Sequence, residues 1–145
     1  MQTEAPTATA EILLLAQHDD DVAIIKRATG ASNVNVVAKC PDVLSWLRRQ
    51  GDYNRAARPD LILLDLDLSN DDDCELLSEI KEDPDFKRIP VVVLASSELH
   101  ENIFQAYSLH ANAYICKPAD REEYVRVIRA TLHFWLALAK LPRKL

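Results

Sequence analysis

Hydrophobic positions along this chain fall into two alternating rhythms. Short apolar runs occur at EILLLA (11–16), NVNVVA (33–38), LILLDL (61–66), IPVVVLAS (89–96) and NAYICK (112–117). Runs of this length and β-branched content predict strands. Between them the apolar residues recur at helical spacing. Val22/Ile25 and Ile24/Ala28 predict a first helix, with Asp19, Asp20 or Asp21 as its cap, Asp21 its natural start, and Gly30 its end. Pro41 opens a second, closed by Gly51, and Leu76, Leu77 and Ile80 mark a third that stops before Pro84. Leu99, Ile103 and Ala106 share one side of a fourth, and residues 120–141 read as a long last helix.

Strand and helix therefore alternate five times. Near-continuous aliphatic strands separated by amphipathic helices predict an α/β fold whose parallel sheet is covered on both faces. In such sheets reactive groups collect beyond the carboxyl ends of the strands, at the topological switch point. Those ends supply Ala16/Gln17, Asp65, Ala95/Ser96 and Lys117. Asp65 and Lys117 come from different strands and are expected to converge on one crevice.

Composition narrows the class. The chain has 145 residues, 48% of them hydrophobic, which fits one domain over 11–140 with a polar N-terminal tail (1–10) and a short C-terminal tail (141–145). A net charge of −6 argues against nucleic-acid binding. No apolar run approaches membrane-spanning length, and the N-terminus lacks the regions of a secretory signal. Cys40, Cys74 and Cys116 are sparse and unpaired in spacing, which fits the cytoplasm.

Several stretches resemble the response-regulator receiver domain. PDLILLDLDLSNDDDCELLSEIK matches its third strand, phospho-accepting loop and following helix; IPVVVLASS its fourth strand; AYICKP its fifth strand with the Lys-Pro after it. LRRQGDY, DPDFKRIPVVVL and a late FWL are similar to the small stand-alone regulators that pair with bacterial phytochromes. The resemblance covers roughly residues 11–140 and implies a flavodoxin-like (βα)5 doubly wound sheet. It implies Asp65 as phosphoacceptor, Lys117 as the phosphoryl-contacting lysine, Tyr114 as the aromatic switch residue and a cis bond before Pro118.

The departures fall on the chemistry. The family's acidic pair is replaced by Ala16 and Gln17, its Thr/Ser switch by Ala95, and the proline and glycine of its active-site loop by Ser69 and Asp73. The resemblance implies Mg²⁺ at Asp65 and the Asp67 carbonyl, but a seat short of two carboxylates holds it weakly, by at least ~1–3 kcal/mol. Ala95 cannot donate the hydrogen bond that links phosphorylation to the aromatic residue, and strand alternation turns Ser96 to the other face. Asp19 to Asp21 read as solvated capping residues rather than displaced metal ligands, and Asp71–Asp73 as a solvated helix N-terminus.

The last helix predicts two apolar faces. Val125, Ile128, Leu132, Leu136 and Ala139 form the stripe that packs on the sheet, while Val127, Phe134 and Leu138 lie nearly opposite, with Trp135 between. The second set is the expected partner surface, with a homodimer formed through the last strand-helix unit. No glycine-rich phosphate loop follows any strand, which weighs against an enzyme or cofactor binder. The expectation is a stand-alone, non-enzymatic receiver-like module of a two-component phosphorelay, weakly phosphorylated or independent of phosphorylation. It would act by contact with a sensor histidine kinase or another signalling protein. The alternative is a competent phosphoprotein with Asp65 as acceptor.

Overall fold

The structure, a computed structural model, describes residues 10–30 and 32–138. The tail 141–145, most of the tail 1–10, and Ala139 lie outside the described residues. Five strands, β1 (Glu11–Leu15), β2 (Asn33–Val37), β3 (Leu61–Asp65), β4 (Val91–Ala95) and β5 (Ala113–Cys116), form one parallel sheet in the order β2-β1-β3-β4-β5. The helices are α1 (Asp19–Thr29), α2 (Cys40–Leu47), α3 (Asp71–Glu82), α4 (His100–Ser108) and α5 (Arg121–His133). The alternation predicted a parallel sheet covered on both faces, and this strand order is the flavodoxin-like doubly wound one that the resemblance implied.

Two cores explain the unbroken apolar strands. Ile12, Leu14, Leu61, Leu63, Val92 and Leu94 meet Ile24 and Ile25 of α1 and Val125 and Ile128 of α5. Leu13, Leu15, Ile62, Leu64, Val91 and Val93 meet Val43 of α2, Leu76, Leu77 and Ile80 of α3 and Ala106 of α4. Alternate residues of one strand thus serve opposite faces, and the central strands admit no polar position until they end. Each fully buried Leu or Ile contributes roughly 1.5–3 kcal/mol.

The boundaries differ in physically informative ways. Gly30 terminates α1 with φ 62°. Gly51 does not close α2, which ends at Leu47; Arg49 takes the left-handed turn at φ 54°, and Gly51 opens a short 3-10 turn. The last helix is not α-helical throughout. At Phe134 it widens into a π turn, Phe134–Leu138, so a strict 100° step no longer assigns its faces. Val125, Ile128 and Leu132 are buried as expected, and Leu136 packs partly on the same core. Phe134 and Leu138 are 50% and 61% exposed, whereas Trp135 packs partly against the core and Val127 is half-buried. Only part of the expected second face is therefore open. No cis peptide bond occurs among the described residues, so the bond before Pro118 is trans.

Candidate functional site

The chain leaves β1 for β2 on one side of the sheet and later crosses to β3 on the other, which opens a crevice between the ends of β1 and β3. The crevice has a volume of about 580 Å³ and is bordered by Gln17, Asp65, Asp67, Ala95, Tyr114 and Lys117, among others. Parallel register carries the two central groups there: Asp65 pairs with Leu94, Ala95 with Cys116, and the Lys117 backbone N–H donates to Ala95 O at 2.8 Å.

Lys117 Nζ lies 2.8 Å from Asp65 Oδ1, with side chains only 13% and 14% exposed. The expected convergence is therefore present. The same ammonium donates to Asp21 Oδ2 at 3.1 Å, and Asp21 Oδ1 accepts from the Tyr124 hydroxyl at 2.8 Å. This corrects the reading of Asp21 as a solvated helix-start residue. His18 is the N-cap of α1, none of the aspartates caps it, and Asp21 is buried. Its position shows why: residues 21, 24, 25 and 28 recur on the inward face of α1. That spacing was visible in the sequence, but a carboxylate on an apolar stripe is not recognisable without its partners. Asp19 and Asp20 do stay exposed, and Asp20 meets Arg121 at 3.7 Å on the surface. Tyr124, which the sequence did not single out, is buried, and its hydroxyl is pushed up by burial and by its bond to Asp21.

The two positions where the resemblance implied an acidic pair are not equivalent. Ala16 is buried against the core shared by α1 and α5, whereas Gln17 is exposed at the crevice. Asp67 is committed locally: its carboxylate accepts from the Ser69 hydroxyl at 2.6 Å and the Ser69 N–H at 3.0 Å, which holds it below the usual range. Its backbone carbonyl accepts from Asn70 N at 2.9 Å. Asp73 corrects the picture of a fully solvated acidic run. It is buried, and its carboxylate accepts from Asp67 N at 2.8 Å and from the Cys40 thiol at 3.5 Å. Asn70 caps α3 instead, accepting from Asp72 N and Asp73 N.

These donors do not fit a tight Mg²⁺ seat. No group of three or more His, Cys, Asp or Glu side chains among the described residues is arranged to hold a metal ion. Asp65 is already paired with Lys117, and Gln17 offers only an amide oxygen.

Ala95 is buried and Tyr114 half-buried, both at the crevice. The Tyr114 hydroxyl donates to Ser97 O at 2.8 Å, and its pKa is raised chiefly by burial. Ser96 lies past the end of β4, in a bend, where strand alternation no longer applies; it is exposed and borders the crevice.

With this geometry in view, comparison with known proteins is decisive. The model of the response regulator receiver domain matches residues 12–129. The chain belongs to the response regulator receiver family. It is 41% identical over 99 residues to the response regulator Rcp1 of Synechocystis, covering 68% of this chain and 67% of Rcp1. It is 38% identical over 99 residues to the probable methanogenesis regulatory protein FilR2 of Methanothrix harundinacea, spanning 63% of that protein. Among solved structures, the phosphorylated cyanobacterial phytochrome response regulator RcpA superimposes with a TM-score of 0.86 at 40% identity, covering 93% of this chain and 99% of that one. The Mn²⁺-bound form of Rcp1 gives 0.84 at 33% identity, covering 92% and 99%. Receivers are signalling modules of two-component systems, and no helix among the described residues is long and apolar enough to cross a membrane.

Proposed function

We propose that this receiver signals mainly through protein contact, with phosphorylation of Asp65 slow or dispensable. The observation that carries this reading is the Asp65–Lys117 pair at 2.8 Å beside Ala16, Gln17 and Ala95. Lys117 supplies the positive charge a phosphoryl group needs, yet the carboxylates that would seat a divalent cation are gone. In the transfer itself, an Asp65 oxygen would form a bond to phosphorus while the donor's bond to phosphorus breaks and its electron pair leaves with the donor. Without a firmly held cation, repulsion between the carboxylate and the incoming phosphate is offset by Lys117 alone, and Lys117 is shared with Asp21.

The intact pair also supports a second reading, a competent phospho-acceptor that tolerates a weak Mg²⁺ site at Asp65 and Asp67. RcpA is phosphorylated and Rcp1 binds Mn²⁺, and the shared fold brings both possibilities to this chain. Incubation with acetyl phosphate and Mg²⁺, followed by intact-mass measurement, separates the two. No adduct, or one at a small fraction of sites, is expected; stoichiometric acyl phosphate that disappears in Asp65→Asn would establish the second reading.

The partner is a sensor histidine kinase or another signalling protein, in the cytoplasm. The exposed Phe134 and Leu138 at the end of α5 support docking or homodimer formation through the last strand-helix unit. Trp135, half-buried, packs edge-on against Phe134, and Val127 is likewise half-buried, so these two would contribute less to such a surface.

A further inference from the structure

Asp21 stands on α1, four residues past Gln17, outside the positions to which the family's chemistry maps. Four side chains nevertheless form one unbroken polar chain through it. Asp65 from β3 meets Lys117 from the end of β5 at 2.8 Å, Lys117 meets Asp21 on α1 at 3.1 Å, and Asp21 meets Tyr124 on α5 at 2.8 Å. Lys117, Asp65 and Asp21 are 13%, 14% and 11% exposed, and Tyr124 is buried, so solvent screens little of this interaction.

One ammonium between two carboxylates is a competition. Whatever raises the negative charge at Asp65 draws Lys117 towards it and weakens the longer contact to Asp21; whatever removes that charge releases Lys117 to Asp21. Among the described residues, the Tyr124 hydroxyl on the other oxygen of Asp21 is the group placed to compensate such a change. The usual alternative, a hydroxyl at position 95 acting on Tyr114, is absent because Ala95 has none. On the surface of the same helix pair, Arg27 donates to both carboxylate oxygens of Glu122 at 2.8 Å, tying α1 to α5 at a second point.

We propose that Asp21 is a positioning residue for Lys117, and that the Asp21–Tyr124 contact carries the charge state of Asp65 to α5, the helix whose final turn exposes Phe134 and Leu138. The inference rests on Asp65 being the site's receiving group, as proposed above, but not on its phosphorylation. It makes α1 and α5, rather than α4, the elements that respond to the site.

The test uses substitution at Asp65 as the charge change, so that failure of phosphorylation and failure of this route remain distinguishable. The full chain is labelled with ¹⁵N and with ¹³C at the tyrosine ring. Asp65→Asn is expected to shift the Tyr124 ring-carbon signal and the α5 amides while leaving those of Phe104 and Tyr107 on α4 in place. In an Asp21→Asn background, which keeps an oxygen for the Tyr124 hydroxyl but loses the charge, the same Asp65→Asn change should no longer reach Tyr124. Lys117→Gln provides the same test should Asp21→Asn fail to fold. A Tyr124 shift of equal size with and without the Asp21 charge or the Lys117 ammonium would overturn the proposal. So would no shift at Tyr124, or one that travels to Tyr114 and α4 instead.

Discussion

Asp73 Oδ2 accepts the backbone N–H of Asp67 at 2.8 Å, so a carboxylate in the first turn of α3 closes the loop that follows Asp65. The loop needs this acceptor because Asp67 N has left the β3 ladder. Asp73 also lies in the first turn of α3, where negative charge is favoured. Asp73→Gly removes the acceptor and adds backbone freedom inside a helix. It should lower stability by roughly 2–3 kcal/mol, measured by urea unfolding. A change below about 0.5 kcal/mol would mean the loop holds itself without Asp73.

Gln17 borders the crevice while Ala16 is packed into the core, so only the former can accept a charge without disturbing the fold. Gln17→Asp should tighten Mg²⁺ binding about tenfold, the equivalent of about 1.4 kcal/mol for one charge-assisted contact. Calorimetric titration reads this directly. An unchanged affinity would show that a carboxylate at position 17 does not reach the bound cation.

The Cys40 thiol is pushed up to about 11, chiefly by burial and then by the Asp73 carboxylate 3.5 Å away. Its unfolded value is 9.0, so between these limits the folded state binds more protons, and stability from this group falls as pH rises from 9 towards 11. At pH 8 its thiolate population should be about a hundredfold below that of a free cysteine. Iodoacetamide labelling resolved by peptide mass should find Cys40 correspondingly slow, and slower than after denaturation.

Burial draws the Lys81 ammonium down from 10.5 to about 8. Its three donors point at Lys87 O, Ile89 O and Asn112 Oδ1 at 2.8, 3.0 and 2.9 Å, with no carboxylate among them. The sign is opposite to that of Cys40: between pH 8 and 10.5 the unfolded state binds more protons, so stability from this group rises with pH. Denaturation midpoints at pH 8 and 10 should therefore show a smaller gain, or a larger loss, in Lys81→Met than in the parent chain. Identical pH responses would place the ammonium's titration at its ordinary value.

Phe134 and Leu138 are open to solvent on the π turn, and Phe134 packs edge-on against Trp135 with ring centroids 5.0 Å apart. Phe134→Ser with Leu138→Ser should abolish concentration-dependent association in sedimentation velocity while changing the thermal midpoint little. Monomeric behaviour of the parent chain at high micromolar concentration would remove the basis for a homodimer on this face.

Aliphatic runs and helical spacing were enough to place all five strands and five helices and to bring Asp65 and Lys117 to one end of the sheet, because burial on both faces imposes a pattern that is local in the chain. That Ala16, Gln17 and Ala95 carry neither carboxylate nor hydroxyl was equally legible, since side-chain chemistry needs no coordinates. Tertiary structure decided what occupies the gap. Asp21 and Tyr124 are separated by 103 residues, and only the docking of α1 on α5 puts their oxygens in contact. Asp73 likewise reads as one of three acids until the loop folds back over it. The π turn escaped the periodicity because a fixed angular step cannot register its own interruption. A side chain's charge can be read from the chain alone, but which charges compete for the same ammonium depends on distances that folding sets.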